Sequence, residues 1–137
     1  MKKIVLITCV KKKRDRKCKA EDLYISQLFK KSFAYAKLLK PDEIFILSAK
    51  YGLLTLTKEI EPYDLTLNKF KTKELKDWAE GTLRQLRLET DLTKDKFIIL
   101  AGIRYRKYLL PKINNYEIPL EGLDFGNQLQ FLTNKIK

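Results

Sequence analysis

Three apolar runs constrain this chain more than anything else in it: Ile4-Val5-Leu6-Ile7, Ile44-Phe45-Ile46-Leu47 and Phe97-Ile98-Ile99-Leu100. Each is four residues long and has no polar residue to turn toward water. Strands buried on both faces look like this, and a central parallel sheet is where they occur. Between them lie stretches with apolar residues at helical spacing: Leu23, Leu28, Phe29, Phe33, Ala36 and Leu39 over 21–39, then Leu75, Trp78, Ala79, Leu83 and Leu86 over 72–88. A short basic helix is expected over 104–113, a short fourth strand over 116–119 and a terminal helix over 124–136. The segment 49–68 reads as a long connection, and long connections in small domains are often functional. The order β-α-β-loop-α-β-α-β-α predicts an α/β fold: one three-layer domain over 1–137, with about four mostly parallel strands and helices on both faces.

The three strong runs end in Thr8-Cys9, Ser48-Ala49 and Ala101-Gly102. In a parallel sheet these ends share one edge, the carboxyl edge, where α/β domains place their ligands. The first run empties directly into Lys11-Lys12-Lys13-Arg14-Asp15-Arg16-Lys17-Cys18-Lys19, a local charge of +6 and half of the chain's +12. Such a balance predicts an anionic partner, with nucleic acid first and a nucleotide next; a lysine-rich surface serving solubility gives the same count.

Histidine is absent, so Ser-His-Asp and Cys-His catalysis and any histidine-ligated metal are excluded. Cys9 and Cys18, the two cysteines, cannot complete a four-ligand zinc site, and no metal or cofactor is expected. No Gly-x-x-x-x-Gly-Lys-Ser/Thr loop and no Gly-x-Gly-x-x-Gly turn is present, which argues against P-loop and dinucleotide-binding enzymes. No apolar run is long enough to span a bilayer. The opening Met1-Lys2-Lys3 lacks a small-residue cleavage site after its apolar run and reads as the start of a strand. A cytoplasmic protein without a membrane partner is the expectation, and a homo-oligomer is compatible with the sequence.

Five patterns cluster at the expected carboxyl edge: Thr8-Cys9-Val10-Lys11-Lys12-Lys13, Ser48-Ala49-Lys50-Tyr51-Gly52-Leu53, Glu61-Pro62-Tyr63-Asp64-Leu65-Thr66, Ala101-Gly102-Ile103-Arg104-Tyr105, and the glycine-bearing run from Pro119 to Gln128. Lys11 and Lys13 are candidate phosphate ligands. Cys9 is a candidate pocket residue, though cysteine at a strand end is most often simply buried. Ser48 and Lys50 are expected to face the pocket and Tyr51 to stack on a base, with Gly52 serving either the pocket or a tight turn. Asp64, after Tyr63, is the leading catalytic candidate, as a general base or as the stabiliser of an oxocarbenium-like sugar, and Lys50 is the second. An Asx-type cap or a salt bridge is the structural alternative for Asp64. Gly102 and Tyr105 open the basic helix, where Gly102 either serves an anion or merely turns the chain. Gln128 either reads a base edge or caps its turn, and Gly126 would permit close approach of helix and sheet.

In combination these patterns resemble the domain of unknown function numbered 6884. The resemblance rests on Cys9, Lys11 and Lys13; on Ala20, Leu23, Tyr24, Ser26, Leu28 and Phe29; on Ser48 to Leu53; on Pro62 to Leu67; and on Gly122, Leu123, Gly126 and Leu129. It runs nearly end to end. Val10 departs from the serine usual there, and the charges from Arg14 to Lys19 exceed the motif. That family looks distantly similar to the YaaA peroxide-stress proteins associated with DNA binding, and related domains accompany deazaguanine modification of nucleic acid. The resemblance therefore implies a nucleic-acid or modified-base setting. The expected activity is chemistry on a nucleotide, nucleobase or nucleic-acid base, at an N-glycosidic bond or by base modification. The rival is a non-catalytic DNA- or RNA-binding accessory module.

Overall fold

Strand β1 (Lys3–Thr8) runs through the middle of the sheet, and its four apolar residues are at most 1% exposed. A computed structural model describes residues 1–8 and 13–137. After β1 come β2 (Cys18–Lys19), α1 (Ala20–Leu23), α2 (Gln27–Leu38), β3 (Glu43–Ser48), β4 (Gly52–Thr55) and β5 (Glu59–Ile60). The second half holds α3 (Thr72–Glu89), β6 (Lys96–Leu100), α4 (Ile103–Arg106), β7 (Tyr116–Glu117) and α5 (Phe125–Ile136), with short 3₁₀ turns at Leu67–Lys69 and Leu110–Lys112.

The main sheet has the order β4-β3-β1-β6-β7. Strands β3, β1, β6 and β7 are parallel, with Leu6 opposite Phe45 on one side and Ile99 on the other. The chain first steps from β1 outward to β3, then crosses back over β1 to reach β6. That reversal makes the gap between β1 and β6 a topological switch point, where the loops leaving the two strands diverge and open a crevice. Crossovers of the usual right hand, taken from this strand order, send α2 and α3 to opposite faces. α2 packs on β1 and α5, and α3 packs on β4 and α4.

The two ends of β1 differ in kind. At its amino end two carboxylates pin it to its neighbours: Asp42 Oδ2 accepts from the Lys3 amide at 2.7 Å, and Asp95 Oδ1 from the Lys2 amide at 2.8 Å. Asp95 is buried and also accepts from the Asp91 amide at 2.9 Å. Its burial pushes the carboxyl pKa up, but the Asp91 and Lys2 amides outweigh that and leave it below the ordinary value. The carboxyl end, at Thr8, is where the crevice lies.

Three expectations need correction. The helix over 21–39 is two helices, because Tyr24 is extended and bridges to Lys13, and Ser26 then caps a fresh helix by accepting from the Phe29 amide at 3.2 Å. The segment 49–68 is not a plain loop. A turn at Gly52 folds the chain back so that β4 pairs antiparallel with β3, and β5 pairs with β2 in a second small sheet. The main sheet therefore has five strands, one of them antiparallel. The basic helix over 104–113 is one turn of α4 followed by a separate 3₁₀ turn at Pro111, which has no amide proton to continue a helix.

Candidate functional site

Ser48, the last residue of β3, is fully buried, and its hydroxyl is committed on every side. Oγ accepts the amides of Lys50 at 3.2 Å and Tyr51 at 3.1 Å, which fixes the turn into β4. With both lone pairs taken, its proton goes to the Tyr63 hydroxyl at 2.7 Å. The Tyr63 hydroxyl shares a further 2.7 Å hydrogen bond with that of Tyr24. Three hydroxyls from three separate segments thus form one chain at the carboxyl edge. The Ser48 carbonyl accepts from the Trp78 indole at 2.9 Å, tying α3 to the same point.

The rings of this cluster hold cations. The Lys13 ammonium lies 4.6 Å from the Tyr63 ring centroid and 5.8 Å from that of Tyr24. Tyr51 meets Tyr63 edge-on at 5.7 Å, and the Lys50 ammonium lies 5.3 Å from the Tyr51 ring. Attraction between an ammonium and a ring face keeps each lysine at the cluster. Gly52 has φ +75°, and a Cβ there would collide with Gln85 Oε1. Gln85 accepts from the Leu53 amide at 2.9 Å and donates to the Tyr51 carbonyl at 3.2 Å, so Gly52 serves the turn.

A cleft of about 410 Å³ opens at the switch point. Thr8 of β1, Leu28, Phe29 and Ser32 of α2, the segment from Leu100 to Arg106, and Gly122, Leu123 and Gln128 beside α5 line most of it. Apolar side chains dominate and a few polar groups converge, the usual make-up of a small-molecule site. Four polar or charged side chains are buried among the described residues: Ser32, Ser48, Thr82 and Asp95. Ser48, Thr82 and Asp95 hydrogen-bond within the protein, whereas Ser32 lines the cleft. The Arg104 guanidinium donates to the carbonyls of Leu67 and Phe70, and Arg106 to that of Ala101, so backbone oxygens fix both. Gln128 Nε2 donates to the Leu123 carbonyl at 2.9 Å.

Gly102 is exposed on this cleft with φ −66° and ψ 166°, a conformation open to any residue. A Cβ at Gly102 would meet nothing within 4 Å. The chain's own turn does not require glycine there. What a side chain would fill is the cleft.

Cleft and tyrosine cluster share two walls. Phe29 lines the cleft and packs on Tyr24 at 5.2 Å, and Tyr105 lines the cleft and meets Trp78 edge-on at 5.7 Å. Of the candidates, Lys13, Ser48, Tyr51 and Tyr63 come together in the cluster, and Gly102, Tyr105 and Gln128 line the cleft. Lys50 and Asp64 are exposed and outside the cleft lining; Cys9 and Lys11 lie outside the described residues. Sequence reasoning missed Trp78, Ser32 and Gln85 as site residues, and placed Tyr24 and Phe29 only in the family pattern and at helical spacing. Trp78 and Ser32 fall on apolar helix stripes, and nothing marks Gln85 in the sequence. Gly126, expected to permit close helix–sheet approach, is exposed, and a Cβ there would have only Asp124 Oδ1 within 4 Å.

Among the described residues no three His, Cys, Asp or Glu side chains stand close enough to hold a metal ion, and no helix is long and apolar enough to cross a membrane. A single ion pair, Lys96–Glu117 at 2.9 Å, joins two of the described residues.

A family model described as a family of unknown function, DUF6884, matches residues 4–134. The chain belongs to that family. No curated protein and no solved structure matches it.

Proposed function

We propose that this family member acts on a nucleotide, a nucleobase or a base within a nucleic acid, and that the base occupies the cleft between β1 and β6. The observation that carries this reading is the join between an apolar cleft and a cation-bearing tyrosine cluster at one sheet edge. The cleft offers a planar base apolar walls with Ser32 and Gln128 for its edge. The cluster offers Lys13 for phosphate, with Lys11 two positions earlier in the chain. Chemistry at an N-glycosidic bond falls to Asp64, adjoining Tyr63, as the carboxylate that activates water or stabilises an oxocarbenium-like sugar; Lys50 would assist departure of the base.

The test is a panel of nucleosides, nucleotides and modified-base DNA, assayed by release of free base. Asp64→Ala is expected to abolish turnover while binding by calorimetry persists. Unchanged turnover in Asp64→Ala on every substrate the protein accepts removes Asp64 from the chemistry.

A second reading is a non-catalytic nucleic-acid-binding module. It is favoured by the contrast between a net charge of +12 and the one ion pair between described residues, an imbalance that a polyanion would offset. Binding of nucleic acid without any turnover across the panel would select it.

A further inference from the structure

Ile103 and Arg104 have two sides. On one they line the switch-point cleft, and on the other a second groove, of about 450 Å³, that runs between the start of α3 and the end of α4. Its walls include Phe70, Lys71, Lys107 and Tyr108, and its lining contains no carboxylate. The nearby Glu74 carboxylate accepts from the Lys71 amide at 2.9 Å, at the helix start.

Tyr108 gathers charge here. The ammonium of Lys76, from α3, lies 5.7 Å from its ring centroid, and that of Lys107 lies 5.5 Å from it. Both ammoniums border this ring, and an anion laid beside it is attracted to each of them. An aromatic ring bordered by cations in an open groove is also the arrangement that tracks a single strand, with phosphates on the lysines and a base against the ring. A single strand suits it better than a duplex, because a base must leave its stack to enter the neighbouring cleft and a single strand has no pairing to break.

We infer that this groove is the path of a single-stranded nucleic acid whose base enters the cleft. The flanking nucleotide crosses at Ile103–Arg104, its phosphates lie along Lys71 and Lys107, and its base rests on Tyr108. The inference rests on the proposed reading of the cleft and extends it: the substrate is a residue within a strand, held on both sides of the divide.

The experiment compares a nucleoside monophosphate with fluorescein-labelled single-stranded oligonucleotides of two to eight residues, by calorimetry and by anisotropy. The wild type should bind the longer strands at least tenfold more tightly than the monophosphate. Lys71→Ala/Lys107→Ala should lose most of that gain and leave monophosphate binding unchanged, and Tyr108→Leu should weaken strands alone; circular dichroism confirms that each variant is folded. Strand binding unaffected by these variants, with the monophosphate still bound, overturns the groove and spares the cleft. Loss of both ligands from the folded wild type overturns the cleft reading and this one with it. An acidic peptide of equal charge binding as tightly as the strand overturns the nucleic-acid assignment of the groove.

Discussion

Ser48 and Tyr63 lie fifteen positions apart in the chain and are joined by one 2.7 Å hydrogen bond in which the serine is the donor. The direction follows from occupancy, since two amides already fill the serine's lone pairs. Tyr63 is thereby held over the carboxyl edge by the same atom that shapes the β3–β4 turn.

Replacing Ser48 should therefore harm more than replacing the group it serves. Ser48→Ala leaves two part-buried amides short of an acceptor, and an unsatisfied group costs about 1–3 kcal/mol when fully buried. Tyr63→Phe leaves one buried donor, the Ser48 hydroxyl, without its acceptor, one such group against two, and should cost about 1–3 kcal/mol. Urea unfolding of both single variants and the double variant measures the order, and the double variant should be less destabilised than the sum because the two residues share a bond. Equal losses for the two single changes would deny Ser48 its role in the turn.

Two glycines should respond in opposite ways. Gly52→Ala forces a left-handed backbone on alanine, at about 1–2 kcal/mol, and drives its methyl into Gln85. Gly102→Val places its Cβ in open space and should leave stability within about 0.5 kcal/mol of the parent. The same valine should abolish monophosphate binding by occupying the cleft. Thermal melts and calorimetry of the pair separate a glycine kept for the fold from one kept for a ligand.

Asp95 predicts a pH dependence with a definite sign. Its folded pKa lies below the ordinary aspartate value of 3.8, so its contribution is complete above that value and is lost as pH falls through the folded pKa. Asp95→Ala should lower the melting temperature at neutral pH, and the gap from wild type should shrink as both are taken to acid below pH 3.8. A gap that widens in acid would reverse the assignment.

The basic stretch should act at a distance rather than by shape. Arg16, Lys17 and Lys19 are exposed and make no ion pair among the described residues. If each meets one phosphate of a single strand, changing all three to alanine should make the slope of log affinity against log salt shallower by about 2. Affinity should fall to a similar extent for every sequence tested. Filter binding over a salt series reads both quantities, and an unchanged slope would place these charges away from the strand.

Much of the frame was legible because burial on both faces leaves a plain signature. The runs at β1, β3 and β6 carry four consecutive apolar residues each, so they announced parallel strands and the shared edge. The corrections came where short elements depend on distant partners. β4 has four residues and exists because Gly52 turns it onto β3, and β5 has two and exists because Cys18–Lys19 lies opposite. The break at Ser26 was readable as a cap, yet an unbroken apolar stripe on either side masked it. At the site, residues at strand ends were recoverable. Trp78 and Ser32 were not, because a helix residue that serves a site and one that faces the core share the same periodicity.

Trp78 is the chain's single tryptophan, and its indole stands between the two halves of the site, bonded to Ser48 and edge-on to Tyr105. The molecule thus carries one indole fluorophore, seated in the partition itself. A ligand that shifts Tyr105, or a change that frees the Ser48 carbonyl, alters the surroundings of that one emitter. Occupancy of the cleft and integrity of the tyrosine cluster can both be followed optically in the unlabelled protein, with no other indole to obscure the signal.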